Sequence, residues 1–155
     1  MVLFIQLKPS INNFQIEEIE KQFGFDFPES YKNHLIKFNG GRCTPNIFNF
    51  LENGKKTESC VDWFLAIHDG PYNNLKKYIS MYKTEHKRMP NHIFPIAHDP
   101  GGNLICISCG KLDYEHVFFW DHENEVDYST QDDQDYGNLY LIARNFNLFL
   151  EGLRN

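Results

Sequence analysis

The chain has 155 residues, 41% of them hydrophobic and 23% charged, and its formal net charge at pH 7 is -6. This composition is typical of a globular domain with a substantial core and excludes a disordered chain. No apolar run approaches the roughly 20 residues that a membrane span needs. The negative balance argues against direct binding of nucleic acid, whose phosphates repel an acidic surface.

The first ten residues carry neither the basic region nor the small-residue cleavage site of a secretory signal, although they begin with a short apolar run. They suit a strand or a segment that flanks a helix. Without a signal, we expect a cytoplasmic, reducing location in which cysteines stay unpaired. No repeat, low-complexity tract or long linker divides the chain, so we expect one domain over residues 1–155.

Two helices are predicted in the amino-terminal part of the chain. Apolar residues recur at helical spacing over Asn13–Phe23, and Gly24 ends this helix because glycine tolerates the left-handed conformation of a helix stop. Pro28 favours the start of a second helix over residues 29–38. The Asn39-Gly40-Gly41 sequence predicts the end of that helix for the same conformational reason.

The middle of the chain predicts a β-hairpin followed by a third helix. Residues 46–51 have the pattern of a strand, and Asn53-Gly54 is typical of a two-residue hairpin turn. Residues 60–67 contain the β-branched and aromatic residues expected of the partner strand. Residues 73–86 place large apolar residues on one face and lysines on the other, which predicts a helix.

Three short strands are predicted next, over residues 93–97, 104–107 and Val117–Trp120, and turn sequences separate them. A wide apolar face over residues 138–150 predicts a last helix that packs on the sheet. This order of elements indicates an α+β domain, in which a mixed or antiparallel sheet is covered by about four helices.

The four cysteines allow two interpretations. Cys106 and Cys109 form a CxxC motif, and Cys43 and Cys60 could complete a structural zinc site of four thiolates. Against this, Cys106 lies within a predicted strand and a second close pair is missing. Buried thiols without a ligand are the alternative interpretation.

A metal-dependent hydrolase is a hypothesis from another functional class. His98, Asp99, His116 and His122 lie near predicted strand ends, where a sheet can gather side chains into a metal or acid–base site. A role in a turn explains Asp99 equally well, and no HExxH spacing is present. We therefore expect no catalytic residue, no metal and no cofactor.

Charge is distributed unevenly along the chain. Residues 113–135 contain nine acids and no Lys or Arg, whereas basic residues cluster over 76–88. The acidic segment is either a solvated loop or a surface that attracts a basic protein partner. Trp120 either packs in the core or forms an aromatic anchor in an interface. The candidate partner-binding residues are Asp113, Glu115, Trp120, Asp121, Glu123, Glu125 and Asp127.

Two stretches and the carboxyl-terminal segment carry a distinctive series of short motifs. Residues 16–41 carry a Glu-bearing helix, a Phe-Pro step, a Tyr-bearing helix and an Asn-Gly-Gly stop. Residues 94–123 carry an apolar-Pro-apolar-Ala step, a Gly-rich turn and an aromatic strand ending in Trp-Asp-His-Glu, and the last helix bears Ala143 and Phe146. In this order, these motifs resemble the SUKH superfamily (the Smi–Knr type domain). Ser108 departs from the family's pattern, since many members carry an acid near this strand end. The matching residues of the first stretch are Ile19, Glu20, Phe27, Pro28, Tyr31, Leu35, Asn39, Gly40 and Gly41.

The resemblance implies a compact α+β domain that binds proteins and for which no catalytic set is established. Bacterial members are mostly understood as immunity proteins that bind and neutralise toxins, often nucleases, and fungal relatives regulate cell-wall assembly and signalling. We therefore expect a non-enzymatic immunity protein whose partner is a cognate protein toxin with a basic effector domain. A regulatory scaffold of the fungal type is the alternative among binding proteins.

Overall fold

The computed structural model describes residues 1–129 and 136–155 of the chain. The strands in these ranges are β1 (Leu3–Ile5), β2 (Arg42–Thr44), β3 (Ile47–Glu52), β4 (Lys55–Cys60), β5 (Trp63–Phe64), β6 (Ile93–His98), β7 (Leu104–Ser108), β8 (Val117–Trp120) and β9 (Leu139–Ala143). The helices are α1 (Asn13–Phe23), α2 (Glu29–Lys37), α3 (Leu75–Ile79) and α4 (Phe146–Glu151). A π-helical segment (Ser80–Glu85) follows α3, and a 3-10 turn (His122–Asn124) follows β8.

Five strands form the central sheet in the order β5-β6-β7-β8-β9, with antiparallel pairing throughout. β1 and β2 form a ribbon, which meets the central sheet where Gly41 bridges to Phe64. β3 and β4 form a hairpin that packs on β9. The predicted α+β architecture, an antiparallel sheet with about four helices, is confirmed.

Side chains of the central sheet alternate between two apolar clusters, because successive residues of a strand point to opposite faces. On β7, Ile105 and Ile107 belong to the larger cluster, together with residues of α1, α2 and α4. Leu104 and Cys106 belong to the smaller cluster, which also contains Trp120. Tyrosines of α3 and the π-helical segment pack against this smaller cluster.

The predicted start and end of α1 are confirmed. The Asn12 side chain accepts a hydrogen bond from the Gln15 N–H, and the Gln15 side chain accepts one from the Asn12 N–H, both at 3.1 Å. Gly24 has φ 74° and donates its N–H to the Glu20 carbonyl oxygen at 2.8 Å. α1 has 11 residues, and no helix in the described ranges is long and apolar enough to cross a membrane.

The third predicted helix, over residues 73–86, is present as α3 followed by the π-helical segment. The Asn74 side chain caps α3 by accepting a hydrogen bond from the Lys77 N–H at 3.1 Å. Lys83, in the π-helical segment, donates to the carbonyl oxygens of Pro90 and Ile93. These bonds attach the π-helical segment to the start of β6. α3 and the π-helical segment therefore cover the smaller cluster.

The predicted helix over residues 138–150 is wrong in its first half. β9 pairs there with β8, with Leu139 opposite Trp120. α4 begins only after Asn145, whose side chain accepts a hydrogen bond from the Leu148 N–H at 2.8 Å. The strand forms because β8 would otherwise leave backbone groups along its outer edge unpaired. An apolar face alone does not distinguish the two conformations in a segment this short.

The predicted partner strand over residues 60–67 is also wrong. β4 begins directly after the Asn53-Gly54 turn, with Lys55 opposite Glu52, and β5 is a separate strand of two residues. Asn53 and Gly54 have φ values of 52° and 81°, the backbone conformation that a two-residue hairpin turn needs. A turn of this length sets the register, so the polar residues after it form the strand.

Candidate partner-binding surface

The acidic segment, residues 113–135, runs from the β7–β8 loop through β8 and past the 3-10 turn. The structure describes this segment as far as residue 129. Asp132, Asp133 and Asp135 lie outside the described residues. The candidate surface therefore consists of the acids between positions 113 and 127, and their contacts separate them into structural and exposed groups.

Asp113 holds the β7–β8 loop in place through its side-chain contacts. Its carboxylate accepts hydrogen bonds from the hydroxyl of Ser108 and from that of Tyr136, the latter at 2.6 Å, and it lies 3.7 Å from Nε2 of His92. Ser108 is fully buried at the end of β7. A carboxylate is thus present beside this strand end although residue 108 is a serine, because the following loop supplies it.

Glu115 connects the same loop to the start of α2. Its carboxylate accepts a hydrogen bond from the Ser30 hydroxyl at 3.2 Å, and its N–H donates to the Ser108 carbonyl oxygen at 3.1 Å. Glu115 has φ 74°, a conformation that costs free energy for a residue with a Cβ atom. The loop keeps this conformation because both of these contacts hold it.

Trp120 and Asp121, two of the predicted partner-binding residues, lie inside the protein. Trp120 is fully buried, and its indole N–H donates to the Arg88 carbonyl oxygen at 2.9 Å. The interpretation of Trp120 as an exposed anchor is therefore wrong, since the alternation of β8 turns it into the smaller cluster. Asp121 is 7% exposed and accepts a hydrogen bond from the Glu123 N–H at 3.0 Å. Its carboxylate is the cap of the 3-10 turn.

Glu125 is bound by a bidentate ion pair. Its two carboxylate oxygens accept hydrogen bonds from Nε and Nη2 of Arg88 at 2.8 and 2.9 Å. The hydrogen bond with Glu125 raises the pKa of Arg88 above its ordinary value, so the guanidinium stays charged. The same guanidinium lies 4.4 Å from the ring centroid of Tyr82 and 5.4 Å from that of Trp120. Glu125 therefore attaches the acidic segment to the loop before β6.

Glu123 and Asp127 are exposed and direct negative charge to solvent. Asp127 accepts hydrogen bonds from the N–H and the hydroxyl of Ser129, which lower the pKa of its carboxyl group. It is consequently ionised at neutral pH. Of the seven predicted partner-binding residues, Glu123, Glu125 and Asp127 are exposed acids, and the Glu125 carboxylate is the one bound to Arg88.

Sequence reasoning missed two exposed side chains in the β7–β8 loop. Leu112 is 79% exposed and Tyr114 is 48% exposed, and both lie beside the acids Asp113 and Glu115. The sequence contained a signal for them, because Lys-Leu-Asp-Tyr-Glu alternates large apolar and charged residues in a loop that no predicted element covers. The candidate surface therefore combines negative charge with large apolar side chains.

The residues of the hydrolase hypothesis do not form one site. His116 precedes β8 and His122 follows it, so the length of the strand separates them. Asp99 accepts hydrogen bonds from its own turn, including the Asn103 N–H at 2.8 Å, and Nδ1 of His122 lies 2.6 Å from the Asn103 side-chain oxygen. Over residues 1–129 and 136–155, no group of three or more His, Cys, Asp or Glu side chains is placed to hold a metal ion.

The cysteines offer no four-thiolate arrangement in the described ranges either. All four are free thiols, and those of the CxxC motif are in different places, Cys106 in the smaller cluster and Cys109 against the larger one. Burial raises the pKa of both thiols and raises that of Cys43 to about 12. Because a metal is bound by the thiolate, these environments suit apolar packing.

Comparison with known proteins shows a family match and a similar bacterial protein. Residues 11–152 match the model of the SMI1 / KNR4 family (SUKH-1). The chain is also 32% identical, over 162 aligned positions, to the SPbeta prophage-derived uncharacterized protein YokK of Bacillus subtilis (strain 168). That alignment covers 94% of this chain and 76% of the relative.

Proposed function

The chain belongs to the SMI1 / KNR4 family (SUKH-1), and from this premise we propose that it is an immunity-type protein that binds and neutralises a cognate bacterial toxin. The family is generally non-catalytic, so the proposed activity is binding alone. The proposal places the protein in the cytoplasm, as one domain over residues 1–155. A regulatory scaffold is the alternative role within the same class of binding proteins.

The observation that carries the proposal is the extent of the family match. Residues 11–152 include α1, α2, the central sheet and α4, so the similarity covers the elements that form both apolar clusters. The prophage origin in the relative's description fits an immunity-type role and supports the same conclusion.

The mechanism we propose is occlusion of a basic surface on the toxin. Glu123 and Asp127 direct negative charge to solvent, and the whole chain carries a formal charge of -6. Such a surface attracts a basic domain and accelerates encounter, and salt weakens the attraction because the Debye length is about 8 Å at physiological ionic strength. The bound protein then covers the basic residues with which the toxin holds its substrate.

The direct test is coexpression with a candidate toxin domain in a sensitive bacterial host. Candidates are effector domains captured from lysate of the source organism or encoded beside this gene. We expect the chain to restore growth and to form a stable complex with one such domain in size-exclusion chromatography. Growth arrest that persists with every candidate, without any complex, would contradict the proposal. Capture of several envelope proteins instead would favour the regulatory scaffold.

The electrostatic part of the mechanism has its own test. Glu123→Gln with Asp127→Asn removes two exposed charges from the acidic segment, and Glu18→Gln with Glu151→Gln removes two exposed charges elsewhere. At low ionic strength we expect the first pair to lower the association rate with the toxin clearly more than the second, with a smaller effect on dissociation. Equal effects of the two pairs would show that only net charge matters.

A further inference from the structure

Two large side chains project from the β7–β8 loop, residues 110–115, which we name the anchor loop. Leu112 and Tyr114 are exposed there, as described above. Single exposed apolar residues are ordinary on protein surfaces, but these two lie on one short loop beside a cleft. Large side chains of this kind, when held in place, form the energetic centre of many protein interfaces.

The anchor loop is held at several points before any partner binds. Asp113 accepts hydrogen bonds from Ser108 and Tyr136, which attach the loop to β7 and to the residues before β9. Glu115 is attached to Ser30 at the start of α2. Because the backbone is already ordered, binding through this loop loses little conformational entropy.

A cleft of about 650 Å³ lies between the anchor loop, the turn after α1 and the start of β6. Phe25, Phe94 and Tyr114 line it. Phe94 is 3% exposed, its ring is stacked on that of Phe25 with 3.8 Å between centroids, and Nζ of Lys83 lies 4.3 Å from its centroid. Phe25 and Tyr114 are therefore the aromatic side chains of the wall that a ligand can reach. Asp26, which is exposed, supplies a carboxylate at the same cleft. A guanidinium group suits these walls, since it stacks on aromatic faces and donates two hydrogen bonds to one carboxylate.

Negative charge exceeds positive charge around the cleft. Some charged side chains line the cleft, and others interact electrostatically with Cys109 or Tyr114 in its wall. Among the described residues, these two groups together are Glu20, Asp26, Glu29, Asp113, Glu115, Lys32, Lys83 and Lys111. Lys32 lies 3.7 Å from the carboxylates of Glu20 and Glu29, and Lys83 is bound to two carbonyl oxygens. This wider group thus holds five acids and three lysines, an excess that favours a cationic ligand, while the cleft itself is lined by one acid, Asp26, together with Lys111 and His92.

We propose that this cleft receives an arginine side chain of the protein partner, with Leu112 and Tyr114 as apolar anchors beside it. The inference rests on the proposed function, because it names the partner chemistry that the binding protein recognises. The arginine stacks on the aromatic wall and pairs with Asp26, while apolar side chains of the partner cover Leu112. The partner surface therefore carries an arginine next to exposed apolar residues.

The test uses the full chain as bait for a phage library of short random peptides, followed by titration of the enriched peptides. We expect enrichment of sequences that place an arginine beside a large apolar residue. Replacing that arginine by glutamine in a synthetic peptide should weaken binding about tenfold, which corresponds to the loss of a charge-assisted contact. Replacement by lysine should have an intermediate effect, because lysine keeps the charge and loses the planar stacking group.

Variants of the chain locate the binding to the cleft. Asp26→Asn, Leu112→Ser and Tyr114→Ala each remove one proposed contact from an exposed position, and each should weaken binding by about tenfold. Lys111→Gln should strengthen binding, since it removes a positive charge from the wall. Leu148→Ser is the matched control, because Leu148 is 48% exposed on α4 and belongs neither to the cleft lining nor to the anchor loop. Thermal unfolding followed by circular dichroism checks that each variant is folded.

The site is overturned if no peptide is enriched, if the enriched peptides are acidic or purely apolar, or if Leu148→Ser weakens binding as much as Leu112→Ser. Neutralisation assays separate this inference from the proposed function. If the Asp26→Asn and Leu112→Ser variants neutralise the toxin as well as the unmodified chain does, the proposed site is wrong and the proposed function stands. If the chain binds arginine peptides but neutralises no toxin, the proposed function is wrong and the proposed site stands.

Discussion

In α2, the hydroxyl of Tyr31 and Nε2 of His34 are buried without a hydrogen-bond partner among the described residues, whereas the buried polar groups near β8 are bonded to one another. The Tyr128 hydroxyl donates to the Asn138 side chain at 2.7 Å, and the Asn138 amide donates to the Asp121 carbonyl oxygen at 2.9 Å. An unsatisfied polar group in the core costs free energy, and a satisfied network holds one geometry. Of these two regions, the one near β8 positions the acidic segment, and its buried polar groups are the ones that are paired.

The largest effect is expected from Trp120→Ala, which removes the largest side chain of the β8 region. Trp120 is fully buried and bonded to the Arg88 carbonyl group, so the substitution should leave a cavity and lower the free energy of unfolding by about 3–5 kcal/mol. Urea unfolding followed by circular dichroism measures this. Leu148→Ala, at an exposed position, should change it by less than about 0.5 kcal/mol. A loss below about 1 kcal/mol for Trp120→Ala would contradict the core assignment.

Acidification should destabilise the protein through His34, a buried residue of α2. Burial lowers the pKa of His34 to about 4 in the folded protein, against 6.5 for the ordinary side chain. Between these pKa values the unfolded chain binds the extra proton, so the free energy of unfolding falls as the pH falls from 6.5 to about 4. The contribution of this group should approach about 3 kcal/mol.

The measurement is the free energy of unfolding across that pH range, compared with His34→Leu. The variant lacks the titrating group, so the difference between the two proteins should depend on pH with the sign given above. Parallel pH profiles of the two proteins would show that His34 is not the group responsible.

A smaller effect is expected when one tyrosine hydroxyl is removed from each of the two regions, α2 and the surroundings of β8. Tyr128→Phe removes a donor from Asn138 and should lower the free energy of unfolding by about 1–3 kcal/mol, because a buried acceptor loses its partner. Tyr31→Phe removes a hydroxyl that has no partner among the described residues, so it should be neutral or stabilise by up to about 1 kcal/mol. Chemical denaturation of both variants tests the order. A larger loss for Tyr31→Phe would contradict the comparison.

The smallest effect is expected from the ion pair at the outer end of the β8 region. Arg88 and Glu125 are each about a third exposed, with side-chain exposures of 30% and 34%. Solvent screens such a pair, so a double-mutant cycle with Arg88→Ala and Glu125→Ala should give a coupling of about 0.5–1 kcal/mol that decreases with salt. A coupling that does not depend on salt would indicate packing of Arg88 on the neighbouring rings rather than charge.

Elements with complete local signals could be predicted from the sequence. α1 has its cap at Asn12, its apolar spacing and its stop at Gly24 within one short stretch, and its bounds are confirmed. Residues 138–150 have an apolar face that suits a helix or a strand, and the free edge of β8 decided between the two conformations. The candidate site was harder to predict, because the sequence shows which residues are acidic but not which carboxylates are already bound.

The sequence by itself determined the α+β class, the helices and turns with local signals, and the presence of an acidic segment. Only the tertiary structure decided that Trp120 is buried, that Glu125 is paired with Arg88, and that Leu112 and Tyr114 stand exposed beside a cleft. The physical reason is the separation along the chain over which each kind of interaction acts. Caps and turns act within a few residues, whereas burial, strand pairing and ion pairs join residues that are far apart along the chain.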